Sequence, residues 1–381
     1  MVSPLKPSIS LIDLLALAPA AQKVLSKQLP GPALLMAAKG IVPGLKPADL
    51  ITVVSVLSQD DDPQLASAAR GTLANLPPAI VQGALSSPLQ EPVIACLALQ
   101  LGDQPNVVEQ LLRMPAIGAD TLVHLATHAT ESIGELIATN ENLLLKHPVV
   151  IETLYLNKRV RMSTADRLIE LAVRNGIELA IPAFKLAAQA IANELIPEAT
   201  EEPNFDDLLF QEAERLAEAA ELELDDDTFE VNDEGEERLK EKFIPLHAQI
   251  AQMSITQKIR RATLGNSAER LLLVRDTNRL VASAAASSPM LNENEAARIA
   301  ASRNVIDDVL RIIAQNRSFT RSYQVKLNLI SNPRTPFTFS SRMIPHLRDN
   351  DVRNLAKSKN VPANIQLACR QQMQRKISGK S

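Results

Sequence analysis

The 381-residue chain has no Trp, two Tyr and eight Phe, and only 12 Gly, well below the usual glycine share of about 7%. A sheet protein needs β-branched and aromatic strands joined by glycine-containing hairpins, so these shortages favour helices packed through aliphatic ridges. Only Cys96 and Cys369 are present, which excludes a disulfide framework or a thiol metal cluster and points to a reducing compartment. No run of 18 uncharged apolar residues occurs, so no transmembrane span is expected. The segment "ISLIDLLALAPAA" after Lys6 resembles a signal peptide, but Asp13 interrupts its apolar run. We read "SLIDLLALA" as an amphipathic first helix, and expect a soluble cytoplasmic protein.

Catalytic motifs are lacking as well. Neither GxGxxG nor GxxxxGK[ST] occurs, nor a GxSxG elbow, so no phosphate cradle or hydrolase nucleophile is signalled. His124 and His128 stand at i and i+4, with Glu131 one turn further, a spacing that can hold a metal. Leu125 occupies the position where a zinc protease carries Glu, so half-buried packing is the better reading. The Asp triplets at 60–62 and 225–227 lack the spacing and central Gly of a calcium loop. The expectation is a non-enzyme without cofactor or metal.

Aliphatic periodicity and proline are abundant. Pro, 24 in all, suits first helical turns and the ends between helices. In "SQDDDPQLASAARGTLANLPPAIVQGAL" (58–85), Asp-Pro opens a helix with Leu65, Ala68, Ala69, Leu73 and Leu76 down one face. Pro115 and Pro148 precede further helical runs, and "MSTADRLIELAVRNG" has Ser163 as an expected N-cap and Gly176 past its end. In the C-terminal half, Asn304, Asn332 and Asn360 recur at intervals of 28, each opening a run with aliphatics three or four apart, with an earlier copy from Ser287. Two such helices cannot bury their apolar faces alone, so neighbouring units must stack. "SNPRTP" is therefore read as structural punctuation.

Charge is unevenly spread. Residues 254–381 hold 22 Lys and Arg against 8 Asp and Glu, a balance of +14, while residues 1–253 balance at -18. The acid is concentrated between Glu198 and Glu241, with 19 acidic and 3 basic residues; such a stretch reads as a solvated linker. Within it, "NFDDLLFQEAERLAEAAELEL" places Phe205, Leu208, Leu209, Ala213, Leu216 and Ala220 at helical spacing, with Asn204 as cap and Asp206 and Asp207 in the first turn. Asp225, Asp226 and Asp227 follow. The basic half offers clusters at Lys258, Arg260 and Arg261, at Arg317, Arg321 and Lys326, and at Arg353 and Lys357. Phe319 and Tyr323 interleave with the second cluster, as stacking surfaces for bases would.

"DDDPQLASAARGTL" resembles a HEAT repeat helix, and "NPRTP" before a short helix is similar to leucine-rich-repeat-variant units. The resemblance spans about three-quarters of the chain and implies an α-solenoid, a fold whose members mostly bind proteins and sometimes nucleic acid. Some variant-repeat proteins hold an iron–sulfur cluster on grouped cysteines, a grouping missing here. The expected architecture is all-α: a HEAT-like repeat domain over 1–197, an acidic linker over 198–242 with a helix near 205–224, and a basic repeat domain over 243–381. The expected function is a non-catalytic scaffold for protein partners, anionic at the C-terminal half, whose acidic segment masks the basic face. The alternative is sequence-nonspecific nucleic-acid binding by that face.

Overall fold

The computed structural model describes residues 5, 7, 11–192, 202–222, 228–231, 237–240 and 243–378. Its elements are almost entirely helical, and the chain divides into two compact units, residues 1–179 and 180–381.

The first unit contains α1 (Pro19–Leu25), α2 (Gly31–Ala38), α3 (Pro47–Leu57), α4 (Pro63–Ala74), α5 (Pro78–Leu85), α6 (Glu91–Leu101), α7 (Pro105–Leu112), α8 (Ala119–His128), α9 (Glu131–Ala138), α10 (Glu141–Lys146), α11 (Pro148–Leu156) and α12 (Met162–Arg174). Each of α1–α7, and α11, carries proline in its first two positions, where the missing N–H costs no intrahelical bond. Helices pack on the next but one: α1 on α3, α2 on α4, α3 on α5, α4 on α6, and so on to α7 on α9. In α3 and α6 almost every residue is buried, because neighbours cover several sides; Ile51, Val53, Val54, Ile94 and Leu97 are fully enclosed. In α4, Leu65, Ala69 and Leu73 face the core as the periodicity requires, under an Asp62 cap.

Two local expectations need correction. Of "SLIDLLALA", residues 14–16 form one 3-10 turn and the first α-helix starts only at Pro19. Asp13 turns back to accept from the Leu15 N–H at 2.9 Å, and its own N–H donates to Gln90 Oε1 at 2.7 Å; a short acceptor of this kind competes with helix. Ser163 lies inside α12, which opens at Met162 behind Arg161. Gly176 does follow that helix with φ +67°, the left-handed conformation that ends helices.

The second unit contains α13 (Phe184–Ile191), α14 (Phe205–Leu222), β1 (Phe229–Val231), β2 (Glu237–Leu239), α15 (Ile244–Gln252), α16 (Ile255–Leu264), α17 (Ser267–Leu273), α18 (Arg279–Ala286), α19 (Glu293–Ala301), α20 (Asp307–Gln315), α21 (Tyr323–Ser331), α22 (Phe337–Met343), α23 (Asp349–Lys357) and α24 (Ala363–Ser378). The division at 179/180 falls ahead of the expected 197/198, because α13 packs on α16 and α18. From α16 to α19 the helices start on side-chain caps rather than proline. Ser254, Asn266 and Asn292 form capping boxes with Gln257, Glu269 and Glu295. The antiparallel pair β1–β2 (Phe229 opposite Leu239) lies within the stretch read as linker.

Next-but-one packing recurs for α16 on α18, α17 on α19, α18 on α20, α19 on α21 and α22 on α24. A recurring turn explains the apparent repeat. Helices α11, α19, α21 and α23 end in extended backbone at Asn157, Ser302, Asn332 and Ser358. In each case the side-chain oxygen accepts from the N–H two residues on, at 2.9, 3.3, 3.0 and 3.3 Å. The fourth residue of the turn, Val160, Val305, Thr335 or Val361, is buried. The next helix opens five residues after the first, at Met162, Asp307, Phe337 or Ala363. The equivalent positions in the C-terminal half are thus Ser302, Asn332 and Ser358, 30 and 26 residues apart, not the asparagines at intervals of 28. Asparagine does more than serine here. The Asn332 Nδ2 donates to the Ala300 and Ser302 carbonyls at 2.9 and 2.7 Å, and the Asn157 Nδ2 to those of Ala126 and Ala129 at 2.9 and 3.0 Å. Each amide satisfies the orphan carbonyls at an earlier helix end.

Candidate functional site

The expected basic face separates into three places with different chemistry. Its first cluster lies inside the second unit. α16 is covered on several sides, and Arg260 and Arg261 are among the largest fully buried side chains. Arg261 Nε donates to Glu269 Oε1 at 2.6 Å, while its Nη1 makes no hydrogen bond and sits 3.6 Å from Glu214 Oε2. Both guanidinium groups lie over the Phe210 ring, 5.1 and 4.9 Å from its centroid. Lys258 pairs with Asp276 at 3.0 Å. These three residues are therefore not a partner-binding surface. Burial forces a cation to find its partners internally.

Glu269 and Asp276 belong to the basic half, but the ring beneath both arginines and the second carboxylate near Arg261 come from the segment expected to be a linker. α14 packs on α15 and α17, capped by Asn204 Oδ1 accepting from the Asp207 N–H at 2.9 Å. Asp207 is buried and returns the bond, accepting from the Asn204 N–H at 3.1 Å, while Asp206 is half-buried. The side-chain amide of Asn266, itself the cap of α17, donates to the Ala217 carbonyl at 2.8 Å. The buried stripe is Leu209, Phe210, Ala213 and Ala217, whereas Phe205 and Leu208 are 71% and 53% exposed. The stripe is rotated from the expected one because Phe210 is drawn beneath the arginine pair. β1 makes a second contact of the same type, its Phe229 ring 3.8 Å from the Arg275 guanidinium. Asp225, Asp226 and Asp227 lie outside the described residues.

The second place is the connection between α20 and α21. Arg317 and Arg321 are exposed there, with Lys326 half-buried in the first turn of α21. Phe319 is buried, and Tyr323 donates its hydroxyl to Asp351 while the Arg348 guanidinium covers its ring at 4.8 Å. Phe319 therefore offers no open face to a base, and one face of the half-buried Tyr323 is taken by Arg348. The third place is α23, where Arg353 and Lys357 are both exposed. Among the described residues, none of these five cations has a carboxylate within ion-pair distance.

In the first unit, His124 and His128 do share one face of α8, ring centroids 4.5 Å apart, beside a recess of about 430 Å³ lined also by Gln100 and Asp103. Burial, and then the neighbouring His128, depress the His124 imidazole below its usual value. Glu131 turns away to pair with Arg161. Among the described residues, no group of three His, Cys, Asp or Glu side chains is placed to hold a metal.

Sequence reasoning missed Arg334, since "NPRTP" read as punctuation alone, and it missed Phe210, which carries no charge to mark it. No family model, curated protein or solved structure matches this chain.

Proposed function

We propose that this protein is a non-catalytic interaction scaffold, an α-solenoid of the HEAT-like kind its sequence resembles, whose C-terminal repeats take an anionic protein partner. The next-but-one helix packing and the recurring turn support the solenoid reading. One observation carries the binding reading. The cations from Lys258 to Arg275 are already occupied, by Asp276, Glu269 and Glu295 of the basic half and by Glu214, Phe210 and Phe229 of the acidic segment, while Arg317, Arg321, Lys326, Arg353 and Lys357 have no carboxylate within ion-pair distance among the described residues. Residues 312–378 contain 12 Lys and Arg against Asp349 and Asp351 alone, and self-repulsion of that size is relieved by an anionic partner. A protein is favoured over nucleic acid because Phe319 is buried and the Arg348 guanidinium covers a face of Tyr323, which leaves little aromatic surface for stacking bases. The acidic helix masks one end of the basic repeats and leaves the other open.

The test is fluorescence anisotropy of labelled poly-glutamate, single-stranded DNA and duplex DNA with the full chain at low and moderate salt. Poly-glutamate is expected to bind, and the charge-reversed R317E/R321E/R353E/K357E chain to lose that binding by roughly tenfold or more. Steeply salt-dependent DNA binding without poly-glutamate binding would hand the surface to nucleic acid. Binding of none of these probes would sink both readings.

A further inference from the structure

The scaffold reading leaves open where on the C-terminal repeats a partner lies. We infer that the partner's path is the rim formed by the recurring turns after α19, α21 and α23, and that its occupant is an extended acidic peptide of another molecule. The inference rests on the scaffold reading and names the site within it.

The first two of those turns lie side by side. Asn332 at the end of α21 reaches the carbonyls at the end of α19, so these two helix ends adjoin, and Tyr323 and Asp351 join the beginning of α21 to that of α23, whose own turn follows at Ser358. Every turn carries a cation. Arg303 follows Ser302, Arg334 stands in the Asn332 turn, and Lys357 and Lys359 flank Ser358, all exposed. Two guanidinium groups are already held in place. Arg334 Nη1 donates to the Val305 carbonyl of the preceding turn at 3.0 Å, and Arg370 Nη2 donates to the Ala356 carbonyl at 3.3 Å. Each keeps further N–H donors for a carboxylate, and a fork that is already ordered loses less entropy on binding. Among the described residues, none of Arg334, Lys357, Lys359 and Arg370 has an ion-pair partner.

Geometry then selects the occupant. Neighbouring helices pack about 8–10 Å apart, and an extended chain advances roughly 3.3 Å per residue. The adjoining turns after α19 and α21 therefore match every third residue of an extended peptide, and a carboxylate at that spacing meets one cation in each. Of the chain's own acidic segment, α14 is fixed by Phe210 under Arg260 and Arg261, and β1 by Phe229 on Arg275.

The experiment uses the full chain and two labelled peptides of equal composition. One carries Glu at every third position among Gly and Ser, the other the same glutamates in one block. The spaced peptide is expected to bind roughly fivefold or more tightly than the block, and K357E/K359E to abolish that preference while R317E/R321E, on the opposite edge, preserves it. R334E tests the middle of the rim. K357E/K359E changes only exposed side chains, so it remains informative if R334E fails to fold. Equal binding of the two peptides overturns the inference but not the scaffold reading, as does a preference lost only in R317E/R321E. Failure of both peptides to bind while poly-glutamate binds also overturns the rim alone. Failure of every acidic probe removes both, and displacement of the spaced peptide by duplex DNA assigns the rim to nucleic acid instead.

Discussion

Glu295 performs two tasks, and their separation tests how the second unit is held together. Its carboxylate accepts from Arg270 Nε at 3.2 Å and Nη2 at 2.8 Å, and from the Asn292 N–H at 3.2 Å as the return half of the α19 capping box. The side chains of Arg270 and Glu295 are 6% and 2% exposed. Glu295→Gln keeps the shape and the capping hydrogen bond, since Gln serves at that position, but leaves Arg270 buried without its counter-charge. Breaking one side of a buried pair costs about 3–5 kcal/mol, a large part of a typical stability of about 5–15 kcal/mol. Glu295→Ala should cost about 1 kcal/mol more through the lost cap. The double variant R270M/E295L removes both charges and should recover most of the loss.

The pH dependence gives a second readout. Burial opposes ionisation of Glu295, but Arg270, Ser267 and the Asn292 N–H outweigh it and hold the carboxyl below its usual value. Its contribution is therefore complete above the unfolded value of about 4.3 and is lost as pH falls through the depressed folded value. Urea unfolding followed by circular dichroism, from neutral to strongly acidic pH, should show the gap between wild type and E295Q narrowing on acidification. A gap below about 0.5 kcal/mol at neutral pH, the scale of an ordinary surface substitution, would refute the reasoning. So would a gap independent of pH, or a double variant no better than E295Q.

Three further outcomes follow from packing. Phe210→Ala removes the ring beneath Arg260 and Arg261 and should destabilise by about 3–5 kcal/mol; hydrogen exchange should show α14 losing protection first, and uniform loss across the unit would contradict its anchoring there. Asn332→Ala orphans two buried carbonyls and should cost about 1–3 kcal/mol by urea unfolding, whereas Asn304→Ala, at an exposed turn residue, should cost under about 0.5 kcal/mol. Burial pushes the Cys96 thiol up to about 11, so it should resist a thiol-specific reagent at mildly alkaline pH until the chain unfolds; rapid labelling of the native protein would show the first core to be open.

Much of this fold is written in local signals. Asp62-Pro63, Asn204 and Gly176 mark helix ends by their own chemistry, and the α4 stripe follows from spacing alone. The hidden features depend on tertiary partners. Nothing local says that "KIRRATL" sits at the centre of a unit, because an arginine reads as exposed until Phe210, Glu214 and Glu269 are brought to it from distances of up to 51 residues. The same gap placed the α14 stripe one step around the helix. The repeat register slipped by two residues because the eye aligns asparagines, while the backbone aligns whichever oxygen-bearing side chain can receive the N–H two positions on.

That turn also makes the chain modular in a practical sense. Since Ser302, Asn332 and Ser358 hand over to the following helix in the same way, a cut at one and a join at another preserves every local bond of the connection. The segment from Asp307 to Pro336 thus runs from one such joint to the next, and duplicating or deleting it would reuse an existing joint rather than require a new one. The spacings of 30 and 26 residues between these joints show that the helices between them differ in length while the joint itself does not.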